Sequence, residues 1–511
     1  MEAEIIQLDG VPDEPAWQRV APATGFLQRD PDNGAPATER TEVRLLFDAN
    51  RLILGVTCYD SEPDRVLGNQ LQRDQSFDAD GRFIWTLDTF LDGRTGYFFE
   101  INPSGAMGDG LVGPTTGSGN QFGADINRAW DGIWMARVRR NDTGWSAEIE
   151  IPLRTLNFDP NASAWGINFQ RTVRRKNEDS LWSGHARNQG LARMSNPGRL
   201  EGLGGMSQGL GLDLKPYIVG NVSSAPGRGH PDAVSTGDVG VDLFYKITPT
   251  LRANVSLNTD FAETEVDQRR VNLTRFPLFF EEKRDFFLEG SSFFDFSREL
   301  GRSVVPFFSR RIGLNRRGTP QRIDLGAKLT GQAGAFDVGV LQVRTADAGS
   351  EMGEDFSVLR VRRRAFQESY FGGLYTRRSA RGVGDVDRQT AGADFELQTS
   401  TFRGDQNVEF SGFFLWTSNR RQTGDNAAYG LRLAYPNDPF SAEIAVREVQ
   451  PNYDPAVGFV GRQGFKLLSP SAEYSLRLRD HPWIRAFEFE VEADVQNDPQ
   501  NRLLTRPPQP S

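Results

Sequence analysis

Cysteine and histidine are almost missing from this chain of 511 residues: Cys58 stands alone, and His185, His230 and His481 are widely separated. An intrachain disulfide is therefore impossible, and neither a Cys/His zinc centre nor a nucleophile–histidine pair has a local motif to support it. Long hydrophobic runs are absent too. No stretch of 18 apolar residues occurs, and the 38% hydrophobic content is too low for a bundle of membrane helices. There is no surplus of positive charge. With 59 basic and 68 acidic residues the net charge is -9, which argues against nucleic acid as a partner. The first ten residues, Met1 to Gly10, lack the basic and apolar regions of a signal peptide.

Alternation is what the chain has in plenty. Leu251, Ala253, Val255 and Leu257 fall on one face of an extended segment and Arg252, Asn254, Ser256 and Asn258 on the other. Ile323, Leu325, Ala327 and Leu329 alternate in the same way with Arg322, Asp324, Gly326 and Lys328, and Phe487, Phe489 and Val491 with Glu488, Glu490 and Glu492. One face must meet something apolar and the other water. A half-buried soluble sheet satisfies this, and so does a membrane barrel with a wet interior. The mean hydropathy of -0.50 does not exclude the barrel, because only alternate residues of a barrel strand face lipid.

Glycine crowds the stretch from Gly198 to Gly211, which reads as a connector at 201–211. Before it, strands are expected at 42–47, 51–59, 82–90, 94–101, 133–140, 144–151 and 165–173, a pattern that suits a β-sandwich over residues 1–200. After it, about a dozen longer strand candidates over 212–511 suit an antiparallel barrel. A segment at about 260–300 breaks the period of two. Its clustered Phe beside Glu281, Glu282, Lys283, Arg284 and Asp285 predicts a packed, non-strand insertion inside the barrel or at its rim.

Three segments resemble bacterial outer-membrane proteins that join a family 9 carbohydrate-binding-like module to a β-barrel domain of unknown function. The first is Leu8-Asp9-Gly10 with Asp13-Glu14 and Trp17, then Val43 to Phe47 and Cys58-Tyr59-Asp60. The second runs from Asp80-Gly81-Arg82-Phe83 through Asn102-Pro103-Ser104-Gly105, Trp130-Asp131-Gly132-Ile133-Trp134 and Ile151-Pro152-Leu153 to Trp165-Gly166-Ile167-Asn168-Phe169. The third, and the most specific, is Asn258 to Asp267 leading into Arg275-Phe276-Pro277 and Glu282 to Gly290. The resemblance implies an all-β protein, a family 9 carbohydrate-binding-like sandwich followed by an outer-membrane-type barrel that this chain need not complete. It also implies a signal peptide that is not in this chain, and a module on the periplasmic or the extracellular side.

Sugar rings stack on tryptophan faces and need polar partners for their hydroxyls. Trp145 and Trp165 are in phase with apolar neighbours and read as core. Trp130 and Trp134 flank the turn at Asp131-Gly132, so Trp130, Trp134 and Asp131 are the carbohydrate-binding candidates. Asp78 and Asp80, preceded by Asp74, offer oxygen ligands for calcium at short spacing, although the bidentate Glu of a full calcium loop is missing. Glu148 and Glu150 are the nearest approach to a glycosidase dyad, but alternation on a wet sheet face explains them, and no catalytic residue is assigned. A haem module would have to draw on Met107, Met135, Met194 or His185 without a Cys-x-x-Cys-His motif. The basic clusters Arg310-Arg311, Arg316-Arg317, Arg360 to Arg364 and Arg377-Arg378 are expected to line the barrel. The preferred reading is an outer-membrane β-barrel protein that binds oligosaccharide or polysaccharide and contacts outer-membrane lipid, with a role in glycan capture or uptake. The alternatives are a glycoside hydrolase or an accessory protein of carbohydrate catabolism, and a haem-binding redox module.

Overall fold

A computed structural model describes residues 6–112, 126–128, 130–194, 197–207, 211–223, 234–248, 250–259, 282, 284–297, 304–314, 321–347, 352–366, 368–381, 387–418, 424–478, 483–484 and 486–505. His230, His481, Arg316-Arg317 and the first part of the insertion, 260–281, lie outside these. The chain divides into two compact units, residues 1–210 and 211–511. The glycine-rich stretch largely belongs to the first, since Leu203 and Met206 are buried in its core.

In the first unit, a short helix α1 (Pro15–Gln18) precedes strands β1 (Leu27–Asp30), β2 (Thr41–Phe47), β3 (Arg51–Tyr59) and β4 (Arg82–Asp88). Then come β5 (Gly96–Ile101), β6 (Met107–Val112), β7 (Ile126–Asn127) and β8 (Met135–Asn141). The last four are β9 (Gly144–Pro152), β10 (Ala164–Val173), β11 (Glu178–Leu181) and β12 (Gly198–Glu201). A four-stranded sheet, β2-β3-β9-β8, faces an eight-stranded one ordered β1-β11-β10-β4-β5-β6-β7, with β12 added on β10. All these pairings are antiparallel.

The period of two builds the core. On β9, Trp145, Ala147, Ile149 and Ile151 point inward and stand opposite Cys58, Val56, Leu54 and Leu52 of β3. From the other sheet come Phe83, Trp85 and Leu87 of β4 and Trp165, Ile167 and Phe169 of β10. Burying each large side chain contributes about 1.5–3 kcal/mol. On the outer side of β9, Glu148 anchors the amino-terminal segment. Its carboxylate accepts the N–H groups of Asp9 and Gly10 at 2.9 and 3.0 Å and the indole N–H of Trp17 at 3.2 Å.

The second unit begins with β13 (Leu212–Ser223), β14 (Val234–Thr248), β15 (Leu251–Thr259) and β16 (Val304–Val305). It continues with β17 (Ile323–Ala333), β18 (Phe336–Thr345), β19 (Glu354–Ala365), β20 (Ser369–Ala380) and β21 (Arg388–Phe402). Next are β22 (Gln406–Ser418), β23 (Ala427–Pro436), β24 (Phe440–Val449) and β25 (Phe459–Val460). Last come β26 (Phe465–Arg477), β27 (Ala486–Glu492), β28 (Val495–Asn497) and β29 (Leu503–Thr505). All except β16 and β25 form one 15-stranded antiparallel sheet in which each strand pairs with the next of the sheet in sequence as far as β26, which then pairs along its length with β27 and β28 in turn before β28 pairs with β29. Among the described residues no pairing joins β13 to β29, so the sheet is a continuous path and not a closed ring.

Its two rims differ. Along one, the strands are joined by 249–250, 334–335, 366–368, 403–405 and 437–439, two or three residues each, and by 478–485, eight residues. Along the other the connections are 224–233, 260–322, 346–353, 381–387, 419–426, 450–464 and 498–502.

Candidate functional site

Burial in the second unit is inverted relative to a soluble sheet. On β23, Leu431 and Leu433 are exposed while Arg432 between them is buried. On β19, Leu359 is exposed and Arg360 and Arg362 are buried; on β22, Phe410, Phe414 and Trp416 are exposed and Glu409 and Ser411 are buried. On β15, Asn254 and Ser256 are buried and Leu257 is exposed, the split expected from the sequence. In β17 a register irregularity between Ile323 and Leu325 moves Ile323 to the inner face, where it is buried, while Leu325 stays exposed. One extra residue reverses the face of everything before it, and strict alternation could not show that.

The arginine runs are divided by the same rule. Arg360, Arg362 and Arg364 turn inward and Arg363 outward; Arg378 turns inward to Glu354, while Arg377 pairs with Asp387 in solvent. Inside, Arg432 bridges Glu409 at 2.9 Å and Glu443 at 2.7 Å. On β27 both faces are exposed, since it pairs only with β26 and nothing in the sheet lies beyond it.

The described part of the insertion packs on the inner face. Helix α2 (Asp285–Leu288) puts Phe286 and Phe287 among Leu341, Val343, Phe356, Val358 and Leu374, in a cluster with Phe294. Lys328 donates to the carbonyl oxygens of Phe286 and Glu289, and the Glu289 carboxylate takes Arg252 and Asn254. Arg360 donates to the Asp295 carbonyl at 2.9 Å and Arg362 to that of Ser292 at 3.1 Å. A second connection joins it where β16 pairs with β25, and Tyr453, Ala456 and Val457 are buried there. Where these segments are described, the inner face is thus covered by the protein's own chain.

In the first unit the predicted residues meet at the edge formed by β5, β6 and the start of β8. Trp134 is 4% exposed, set edge-on against Trp85 and Phe99 at 5.5 Å, and its indole N–H donates to Asp109 at 2.6 Å. Its faces belong to the core and it offers no sugar platform. Trp130 is half-buried, backed by Tyr97 at 5.2 Å and Phe99 at 6.0 Å. Asp131 is 78% exposed and holds Arg73 at 2.6 Å; the same guanidinium reaches Asp109 and the carbonyl of Gly132.

Arg73 and Asp109 are the polar centre of this edge, and the sequence reading missed both. The available signal was Asp109 on the inward phase of a strand with Met107 and Leu111, but that strand, β6, was not foreseen between its glycines. Burial pushes the Asp109 carboxyl up to about 6, against the lowering effect of Trp134 and Arg73, and Asp74 and Asp131 add to the rise. The arrangement presents an aromatic ring beside an exposed carboxylate and a guanidinium, with Ile133 and Met135 exposed alongside.

Asp78 and Asp80 do not converge. Buried Asp80 takes the backbone N–H groups of Asn69 and Gln70 and the side-chain amides of Asn69 and Asn102, while Asp78 lies at the surface between Ser76 and Arg82. Among the described residues no three His, Cys, Asp or Glu side chains form a metal-holding group. Glu148 serves the amino-terminal segment and Glu150 pairs with Arg51, so the two do not face a common cleft. Met194 is buried against Ile84 and Phe98, and Met135 is exposed.

The fold defines the class: an all-β protein in which a sandwich is followed by a large antiparallel sheet, apolar outside and polar inside. No described helix is long and apolar enough to cross a membrane. The family described as a domain of unknown function (DUF5916) matches residues 209–334. No curated protein matches the chain. A carbohydrate binding module of family 9 from Caldicellulosiruptor kristjanssonii, solved with cellotriose, is similar at 15% identity and a TM-score of 0.29, over 40% of this chain and 92% of that one. OccK7 (OpdD) of Pseudomonas aeruginosa is similar at 10% identity and a TM-score of 0.25, over 82% and 93% of the two chains. OccAB4 of Acinetobacter baumannii is similar at 8% identity and 0.24, over 93% and 91%.

Proposed function

We propose that residues 211–511 are the membrane part of an outer-membrane protein and that residues 1–210 are its glycan-binding module. The observation that carries the membrane half is the inverted burial. Leucine, phenylalanine and tryptophan cover the outside of the sheet, while the inside holds paired arginines and carboxylates beside the apolar clusters packed on the insertion. In water that arrangement would expose a large apolar surface and bury charge without need. In a bilayer the outer face meets lipid, and the inner charges are compensated by one another and by the packed insertion. With that insertion in place the sheet has an occupied interior, which favours a binding or gated role over an open channel.

The glycan half rests on the edge at Trp130. Its ring is held from behind by Tyr97 and Phe99, as a sugar platform must be, and Asp131 and Arg73 supply an acceptor and a donor beside it.

Both halves are testable on the full chain. Extracted from membranes, the protein should need detergent to stay dispersed and should change its electrophoretic mobility on heating. A protein that is monodisperse without detergent and shows no heat shift sinks the membrane half. For the glycan half, the detergent-solubilised protein is screened on immobilised oligosaccharides, and loss of retention in Trp130→Ala is the expected result. Retention unchanged by that substitution removes the site.

A further inference from the structure

We infer that residues 1–210 stand on the periplasmic side of the membrane, and that the glycan they bind is therefore a pyranose chain of the periplasm and not a polysaccharide of the outer cell surface. This rests on the membrane reading above. The observation is the difference between the rims. Outer-membrane sheets are built with short turns toward the periplasm and longer loops toward the outside. Here five of the six connections on one rim have two or three residues and the sixth, 478–485, has eight, while the opposite rim carries the insertion and connections of five to 15 residues.

Strand β13 fixes where the chain enters. Leu212 pairs with Tyr245 near the end of β14, just before the short turn at 249–250, and Ser223 pairs with Val234 at the other rim. The sheet is therefore entered from the short-turn rim, and Gly211, whose carbonyl accepts the Lys246 N–H at 2.8 Å, stands on that side. No later strand alters this, because the strands pair in sequence order as far as β26, β27 and β28 follow one another along β26, and the rims alternate without a crossover. A glycan platform so placed can meet the glycan strands of the cell wall, or oligosaccharides that have already crossed the membrane, but not surface polysaccharide.

The experiment places single cysteines in full-length chain carrying Cys58→Ala: Leu71→Cys in the first unit, Arg403→Cys in a short turn and Met352→Cys in a long connection, all at exposed positions. Intact cells and cells with a permeabilised outer membrane are treated with a membrane-impermeant maleimide. Met352→Cys should label in intact cells, and Leu71→Cys and Arg403→Cys only after permeabilisation. Labelling of Leu71→Cys in intact cells overturns the inference while leaving the membrane reading in place, provided that Arg403 and Met352 still differ. If those two label alike, the sheet does not cross and both readings fall. A second arm offers the solubilised protein purified cell-wall sacculi, soluble oligosaccharides and lipopolysaccharide. Retention on either of the first two that is lost in Trp130→Ala supports the inference and tells the two sources apart, and retention on lipopolysaccharide alone overturns it.

Discussion

Arg360 and Asp394 form a two-pronged ion pair, with Nη1 to Oδ1 at 2.6 Å and Nη2 to Oδ2 at 2.8 Å, and neither side chain has any exposure to solvent. They sit on β19 and β21, with β20 between them, and the guanidinium crosses at Gly372. A Cβ there would stand 2.5 Å from Nη1 of Arg360 and 2.7 Å from Oδ1 of Asp394. Asp394 also accepts the Tyr370 hydroxyl and the Ser297 N–H, so the pair joins three strands to the insertion.

Removing one partner should be costly. Asp394→Ala strands a buried guanidinium and is expected to lose about 3–5 kcal/mol. Gly372→Ala should cost about 1–3 kcal/mol by forcing the pair apart. Denaturant unfolding in lipid vesicles measures both. An Asp394→Ala loss under about 1 kcal/mol would mean that water reaches the inner face and that the insertion does not seal it.

The two tryptophans of the first unit should separate by what they do. Trp134→Ala opens a core cavity and leaves Asp109 with one donor fewer, at an expected cost of about 3–5 kcal/mol. Trp130→Ala should cost less, because that ring is only partly buried, and its effect should fall on glycan retention. Thermal melts beside retention assays on the same preparations give the comparison.

What the sequence made legible was whatever depends on the phase of a single strand. The core roles of Trp145 and Trp165, the exposure of Leu257 and the burial of Asn254 and Ser256 all follow from the period of two. The face of Ile323 was not legible, because a bulge is a matter of pairing between strands. Nor were the partners of Arg360, which come from a strand two removed and from the insertion. At the glycan edge, Trp130 and Asp131 were found from a turn signal. The role of Trp134 was not, since its burial depends on Asp109 and Phe99, which reach it from other strands of the fold.

Asp109 should give the first unit a pH signature near 6. Its carboxyl is pushed up to about 6 in the folded chain, against an ordinary value of 3.8, so between these values the folded form holds more protons than the unfolded one. The stability contributed by this group is then present at low pH and lost as pH rises from about 4 to about 6. Tryptophan emission should titrate with a midpoint near 6, because ionisation changes the acceptor of the Trp134 indole N–H, and Asp109→Asn should abolish the step. A step that persists in that variant assigns the titration elsewhere.

Cys58 should be silent until the sandwich opens. It is wholly buried opposite Trp145, and burial pushes its thiol up to about 11 although the Arg171 guanidinium pulls the other way. At pH 8 a thiol reagent should find no reactive group in native protein and one per chain after denaturation. Prompt reaction of native protein would place the β3–β9 pairing in doubt.

The decisive substitution for the membrane is on the outer face of β23. Leu431 is 46% exposed and lies beside Val446 of β24, with Tyr429 and Leu433 two residues away on the same face. In a soluble sheet an arginine at such a position is solvated, and the change should fall within about 0.5 kcal/mol. In a bilayer the same charge loses water without gaining a partner, and Leu431→Arg should cost about 2–4 kcal/mol if the residue lies near the midplane. The control must also be on the outer face. An arginine at Ser256 does not serve, because that side chain is sealed inside against Asp242 and the loss would come from overpacking. Leu431→Phe is the suitable control, an apolar change of size on the same face that lipid accommodates. Unfolding of the parent and both variants is compared in vesicles. A large loss for arginine with little for phenylalanine identifies the surface as lipid-facing, and equal small losses would return the sheet to water.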